Sequence, residues 1–294
     1  MLNVAPLATV KVAPQDRFWA PLAVNRRACQ TGRMAHIEQF TAEPRPFTAS
    51  RWYREAGELA LVALAFLLYF VVRANVIDRP DLALTNAGHI VAAERSLGIF
   101  VERNWQDAAL DSMAVVRLFN FVYFWLDFPL IACAGVVLYF KRRREYTFTR
   151  DAILFSGGLA LIAYSIFPVA PPRLLPEAGL IDTLQAFNNF SYQAQSTSFF
   201  VNPFAAMPSL HVGWALLLAF GFLRAFPGNR LVILVAVAHP LTQTASTVIT
   251  GNHYLLDGVG GVVAAMLGLS LATLMQRWGY AWLDHRFRTS HGRP

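Results

Sequence analysis

Apolar runs roughly the length of a membrane helix, separated by short polar connections, dominate the chain after residue 55. Six runs have the length and apolarity of membrane helices. The first is centred on Leu59–Val72 and closed by Glu58 and Arg73; the second covers about Phe119–Phe140 and the third about Ala152–Phe167. The fourth begins at Pro208 and ends near Phe226, the fifth runs from Leu231 to Ile249, and the sixth from His253 to Met275. This pattern predicts an all-α fold, a polytopic membrane bundle of six transmembrane helices. Residues 1–54 are rich in Pro, Arg and polar side chains and read as a tail. The chain thus divides into an N-terminal tail (1–54), a first transmembrane helix with an interfacial segment (55–110), a transmembrane core (111–276) and a C-terminal tail (277–294).

Composition fits that division. The 294 residues are 55% hydrophobic and 15% charged, against roughly 25% charged in soluble domains. A formal net charge of +7 invites a nucleic-acid reading, but the basic residues sit in short connections, where they act as topology signals. Lys141, Arg142, Arg143, Arg144 and Arg150 fill the connection between the second and third runs, and Arg224 and Arg230 that between the fourth and fifth. Arg51 and Arg54 precede the first run; Arg277, Arg286 and Arg288 follow the sixth. Residues 74–111 carry more acids than bases, and residues 169–207 hold one basic residue, Arg173. The positive-inside rule therefore expects both termini in the cytoplasm and these two segments outside, and the high Ala, Arg and Val content points to a bacterial plasma membrane. Residues 1–30 lack an apolar stretch suited to a cleavable signal. Cys29 and Cys133 lie far apart in character, and neither a disulfide nor a cysteine metal site is expected.

The two outer segments carry their own pattern. Ala93-Glu94-Arg95-Ser96-Leu97-Gly98-Ile99-Phe100 reads as an amphipathic interfacial helix. Residues 181–207 alternate Phe and Tyr with Asn, Gln and Ser, which suits a lid at headgroup level and an interfacial connector equally well.

Candidate chemistry gathers where three of the runs meet the same side. Pro208-Ser209-Leu210-His211 opens the fourth run, with proline pre-set for the first helical position and free first-turn amides that favour an anion. His253 and Asp257 are four apart, so a helix places them on one face, where the carboxylate holds one ring nitrogen and leaves the other as a nucleophile. A buried His–Asp pair that merely ties helices together leaves the same trace. Arg173 closes Pro168-Val169-Ala170-Pro171-Pro172-Arg173 at the end of the third run, and its guanidinium matches phosphate oxygens in a bidentate fork. Topology brings Arg173, Ser209, His211, His253 and Asp257 to one face independently of any chemistry, and this favours a lipid-phosphate site.

These blocks, Pro-Ser-Leu-His with Gly-Asn-His-Tyr-x-x-Asp, resemble the type 2 phosphatidic acid phosphatase superfamily, and within it the branch that contains inositol phosphorylceramide synthase. The resemblance covers about residues 110–275. It implies a six-helix bundle and a metal-free histidine mechanism without cofactor. His253 is then the nucleophile that forms a phosphohistidine, Asp257 orients it, His211 is the general acid, and Arg173 with Ser209 and Asn252 binds the phosphate. Two cations of the family's phosphatases are missing: Ile166 stands seven residues before Arg173 where they have lysine, and Thr247 stands six before His253 where they have arginine. Fewer cations favour a phosphodiester or pyrophosphate lipid over a highly charged monoester.

The expected activity is transfer of a phospho-headgroup, inositol-phosphate-like, between a membrane lipid and a small alcohol at the extracytoplasmic face. Plain hydrolysis of a lipid phosphate or isoprenyl pyrophosphate, and lipid transport or binding without turnover, are the alternatives. Other polar residues have blander readings: Asp127 inside the second run as a carboxylate with a buried partner, His239 before Pro240 as a packing residue, His89 as a headgroup contact, and Arg142–Arg144 as an anchor toward anionic lipid. Gly260, Gly261, Ala264 and Ala265 form a small-residue packing face.

Overall fold

The computed structural model describes residues 49–76, 79–188 and 203–283. The expected tail before residue 49 and most of the 181–207 segment lie outside the described residues, and every contact below falls within Tyr53–Pro294.

The described residues are helical without strands, apart from one isolated parallel bridge between Val169 and Ala205. In chain order the helices are α1 (Ala49–Val76), α2 (Pro80–Leu97), α3 (Glu102–Leu110), α4 (Met113–Trp125), α5 (Phe128–Lys141), α6 (Arg143–Ile166), α7 (Thr183–Asn188), α8 (Leu210–Ala225), α9 (Arg230–Ile249) and α10 (Leu255–Leu274), which continues through a π-turn at Met275–Gly279.

Three helices are long and apolar enough to cross a membrane, in α1, α9 and α10, or four when the bent pair α4–α5 counts as one span. The single second run expected from sequence is thus two helices meeting at 49°. Pro129 near the start of α5 has no amide to continue the ladder of α4, and the break falls at Leu126–Asp127. The third and fourth runs do not reach the same length. α6 begins with Arg143, Arg144 and Glu145 and carries Arg150 and Asp151 two turns in, and α8 has 16 residues, about 24 Å against a 30 Å hydrocarbon core. Likewise the basic cluster is helical. Only Arg142 separates α5 from α6, and Arg150 pairs with Glu58 of α1 (2.5 Å) and Asp151 (2.6 Å).

Packing centres on α10, which lies against α6 and α8, while α9 lies against α8 and α4. Phe148 and Ala152 of α6, Leu217 of α8, and Ala265 and Ala272 of α10 form one core. The small-residue face expected in the sixth run is where these backbones touch. A Cβ on Gly261 would stand 2.2 Å from the Ser209 carbonyl, one on Gly213 2.7 Å from the Gly261 carbonyl, and one on Gly268 2.6 Å from the Ala152 carbonyl. A second core lies at the other end of the bundle from Arg150, where Ala83, Ala87, Ile90 and Val91 of α2 cover Val169, Ala170, Ala206 and Tyr254. The expected amphipathic stretch is thus the end of α2 and the turn after its Gly98 cap that leads into α3.

The contacts at Gly261 generate a comparison within one helix. Gly261→Ala is expected to destabilise the protein by about 1–3 kcal/mol through overpacking. Gly258→Ala, whose Cβ would meet only Val212 Cγ2 at 3.7 Å, is expected to be neutral or stabilising. Thermal unfolding of both variants in detergent checks this; equal midpoints would show that the α8–α10 approach is not tight.

Candidate active site

Three chain segments are laced together beneath α2. The Val169 amide donates to the Phe204 carbonyl (3.0 Å) and the Ala206 amide to the Val169 carbonyl (3.2 Å). Asn86 Nδ2 donates to the Pro168 carbonyl (2.8 Å) and the Ala170 amide to the Ala83 carbonyl (3.0 Å). The Arg173 amide donates to the Gly251 carbonyl (3.0 Å). Gly251 has φ +71°, and a Cβ there would press on the Ile181 carbonyl at 2.6 Å, so both conformation and space require glycine.

These contacts bring all six residues singled out from sequence to one end of the bundle. The His211 and His253 rings are 5.4 Å apart, centroid to centroid, at 60°. His253 is not on the helix face expected from its spacing to Asp257; it precedes α10, for which Tyr254 is the N-cap. Its Nδ1 lies 2.8 Å from the Ala206 carbonyl and 3.4 Å from Asp257 Oδ2. A carbonyl only accepts, so Nδ1 carries the proton and Nε2 keeps its lone pair. Asp257 Oδ2 instead accepts the Tyr254 amide at 2.9 Å, closing a capping box at the start of α10. The tautomer is therefore set first by a backbone carbonyl, with the carboxylate behind it.

His211 has a carboxylate of its own. Its Nε2 is 3.3 Å from Asp127 Oδ2 at the α4–α5 break, and its ring stacks on Tyr123 at 4.4 Å. The sequence marked Asp127 as having a buried partner and missed that the partner is His211. The break itself was the signal, since a carboxylate beside a proline-opened helix end is freed from regular packing. His239 Nε2 donates to the Leu126 carbonyl (2.9 Å), pinning the same break from α9.

Arg173 Nη1 donates to Asn252 Oδ1, and its Nε lies 3.1 Å from Asp182 Oδ2, out of line for a hydrogen bond. Ser209 is the N-cap of α8, so Pro208 lies before the helix rather than at its first position. The Ser209 amide donates to the Asp257 carbonyl (2.8 Å), while its buried hydroxyl has no partner among the described residues. Neither Ile166 nor Thr247 adds charge: Ile166 is exposed on the bundle surface, and Thr247 Oγ1 bonds the Thr244 carbonyl. Among the described residues no group of three His, Cys, Asp or Glu side chains converges as a metal site. His89 lies on α2, and among the described residues no hydrogen bond or ring contact ties it to the two histidines.

The least legible part of the site is the seat of α10. Its first amides are taken by carboxylates from the two short helices: Leu255 by Glu102 Oε1 (2.8 Å) and Leu256 by Glu94 Oε1 (2.7 Å). Both glutamates are fully buried. Burial pushes the Glu94 carboxyl up to about 9; its hydrogen bond to Glu102 and the nearby Glu102 and Asp257 charges push the same way, and the Leu256 amide opposes them. Burial and the neighbouring carboxylates thus favour the protonated form of Glu94. The Tyr254 hydroxyl beside them also keeps its proton more tightly than usual, chiefly through burial. These bonds span more than 150 residues and hold Leu255 and Leu256, just after His253.

A raised carboxyl binds more protons folded than unfolded. Its contribution to stability is therefore complete at low pH and falls as pH rises from the ordinary carboxylate range to about 9. Glu94→Gln keeps an acceptor for Leu256 and a donor for Glu102 but cannot titrate. The thermal midpoint of the Gln variant is expected to fall less than that of the parent between about pH 5 and 9. Parallel midpoint curves would remove Glu94 as the titrating group.

No curated protein and no solved structure is significantly similar to the chain. The sequence model of the PAP2 superfamily matches residues 88–271, which begins within α2 and ends within α10 and so contains every group described around the two histidines. With its apolar helices this makes the chain a membrane protein of phosphatase-type chemistry, and it belongs to the PAP2 superfamily.

Proposed function

We propose that the protein is a lipid-phosphate phosphotransferase that works through a phosphohistidine on His253 at the extracytoplasmic face of its membrane. The observation that carries this reading is the pair of facing imidazoles, 5.4 Å apart, with the His253 Nδ1 proton committed to the Ala206 carbonyl. That leaves His253 Nε2 as the attacking atom.

In the first step Nε2 bonds to phosphorus as the bond to the leaving alkoxide breaks, and His211 supplies the proton that makes it an alcohol. In the second step an acceptor alcohol attacks phosphorus, His211 takes its proton, and the P–N bond breaks to restore His253. Asp127 holds one ring nitrogen of His211, leaving the other for the proton. Arg173, the Ser209 hydroxyl, Asn252 and the first-turn amides of α8 receive the phosphate oxygens. A single clamping guanidinium, without cations at Ile166 or Thr247, favours a singly charged phosphodiester donor. Hydrolysis is the second reading, favoured by the superfamily match; it differs only in water replacing the acceptor.

The orientation follows from charge. With Arg142–Arg144 and Arg150 in the cytoplasm, the opposite end with the histidines faces outward. Six crossings then require the bent α4–α5 pair, α6 and α8 each to span, the last two with help from their flanks.

Purified protein in detergent with chelator present is expected to release diacylglycerol from phosphatidylinositol only when an alcohol acceptor is added. His253→Ala is expected to abolish this, and Arg173→Ala and Asp127→Asn each to lower kcat/KM by on the order of 10²–10³. Release without acceptor establishes hydrolysis, and turnover retained in His253→Ala overturns the mechanism.

A further inference from the structure

The phosphate clamp already holds an anion that belongs to the protein. Asp182 Oδ2 lies 3.1 Å from Arg173 Nε, on the edge of the guanidinium next to the one that donates to Asn252. This carboxylate is not a loose surface charge. Its other oxygen accepts the Gln185 amide at 3.1 Å and its backbone carbonyl accepts the Ala186 amide at 2.9 Å, so it caps the first turn of α7. The residue before it is held from both sides by Gln106: the Ile181 amide donates to Oε1 (2.8 Å) and Nε2 donates to the Ile181 carbonyl (3.0 Å). Nε2 also reaches the Ile249 carbonyl at the end of α9 (2.9 Å). The residue after it, Thr183, exchanges two hydrogen bonds with buried Asn120 of α4, at 2.6 and 2.9 Å. Asp182 is therefore aimed at Arg173 by contacts to α3, α4 and α9.

From this placement we propose that Asp182 sets the charge of the phosphate the site accepts, admitting a singly charged phosphodiester lipid and rejecting a doubly charged monoester. The proposal rests on reading Arg173 as the phosphate clamp. Other carboxylates add to the same balance: Asp127 beside His211 and Asp257 beside His253. Of the other arginines at this end, Arg79 donates to the Ser165 carbonyl, Arg95 to the Glu177 carbonyl and Arg103 pairs with Asp107, while Arg117 is exposed on α4. A dianion seated on Arg173 meets Asp182 with one more negative charge than a diester does. At a separation of about 5 Å in a partly screened site, one extra like-charge contact changes affinity by on the order of 10²-fold.

The capping role is the competing explanation, and substitution separates the two. Asn and Ser cap helices as well as Asp does, so Asp182→Asn and Asp182→Ser keep α7 started and remove only the charge, while Asp182→Glu keeps the charge. The experiment uses the full chain in detergent at about pH 8, with two short-chain lipids matched in their tails. These are dioctanoyl phosphatidic acid, a dianion there, and dioctanoyl phosphatidylglycerol, a monoanion. Apparent Kd is read from ligand-induced thermal shifts, which need no turnover. The parent is expected to prefer the diester. Asp182→Asn and Asp182→Ser are each expected to tighten phosphatidic acid by about tenfold or more relative to phosphatidylglycerol, with Asp182→Glu staying near the parent. An unchanged ratio in both neutral variants overturns the proposal and leaves Asp182 a cap. Arg173→Ala separates the two levels. Loss of both lipids in that variant with an unchanged ratio at Asp182 sinks the charge filter alone, whereas unaltered binding of both lipids sinks the clamp and the filter together.

Discussion

A single hydrogen bond, from His253 Nδ1 to the Ala206 carbonyl at 2.8 Å, decides which ring nitrogen of His253 carries the proton and so, in the proposed mechanism, which one attacks. Everything around it serves to keep that carbonyl in place. Ala206 is fixed by its amide to Val169, Val169 by Phe204 and by neighbours bonded to α2, and His253 by an amide donated to the Thr247 carbonyl at 3.1 Å. A backbone acceptor suits this task at the edge of a membrane bundle. It is neutral, so it orients the imidazole without adding negative charge, as suits the phosphate proposed to bind there.

Around that bond the site distributes carboxylates by function. Asp127 serves the second histidine, Asp257 and the two glutamates hold the start of α10, and Asp182 sits on the clamp. In the proposed mechanism only the last faces the phosphate, through its arginine; between the two glutamates, burial and the neighbouring charge favour the protonated form of Glu94. The acidic bias seen in residues 74–111 thus has a cause beyond topology, since Glu94 and Glu102 are wholly buried partners of backbone amides.

Much of the site was legible in the sequence, because its residues lie in short blocks at the ends of apolar runs. Run boundaries alone put Arg173, Ser209, His211, His253 and Asp257 at one end, and the structure places them together there, with Asn252 beside Arg173. What stayed hidden depended on long-range register or on local geometry that periodicity does not encode. Spacing of four implies a shared helix face only if the helix has begun, and α10 begins after His253. A continuous apolar run does not show the break at Asp127, and nothing local links Glu94 to Leu256, 162 residues away. The span count suffers similarly: hydropathy marks apolar length, while α6 and α8 extend or stop according to charged first turns and capping.

The glycine contact between α8 and α10 has a mechanical consequence. Gly213 and Gly261 let the two backbones meet directly, within one turn of His211 and Asp257 respectively. The gap between the two imidazoles is thereby gauged by main-chain collision, which is stiff, and not by side-chain fit, which yields. Where the backbones touch, α8 and α10 cannot come closer without displacing a main-chain carbonyl, so the distance from His211 to the start of α10 is set by the two main chains.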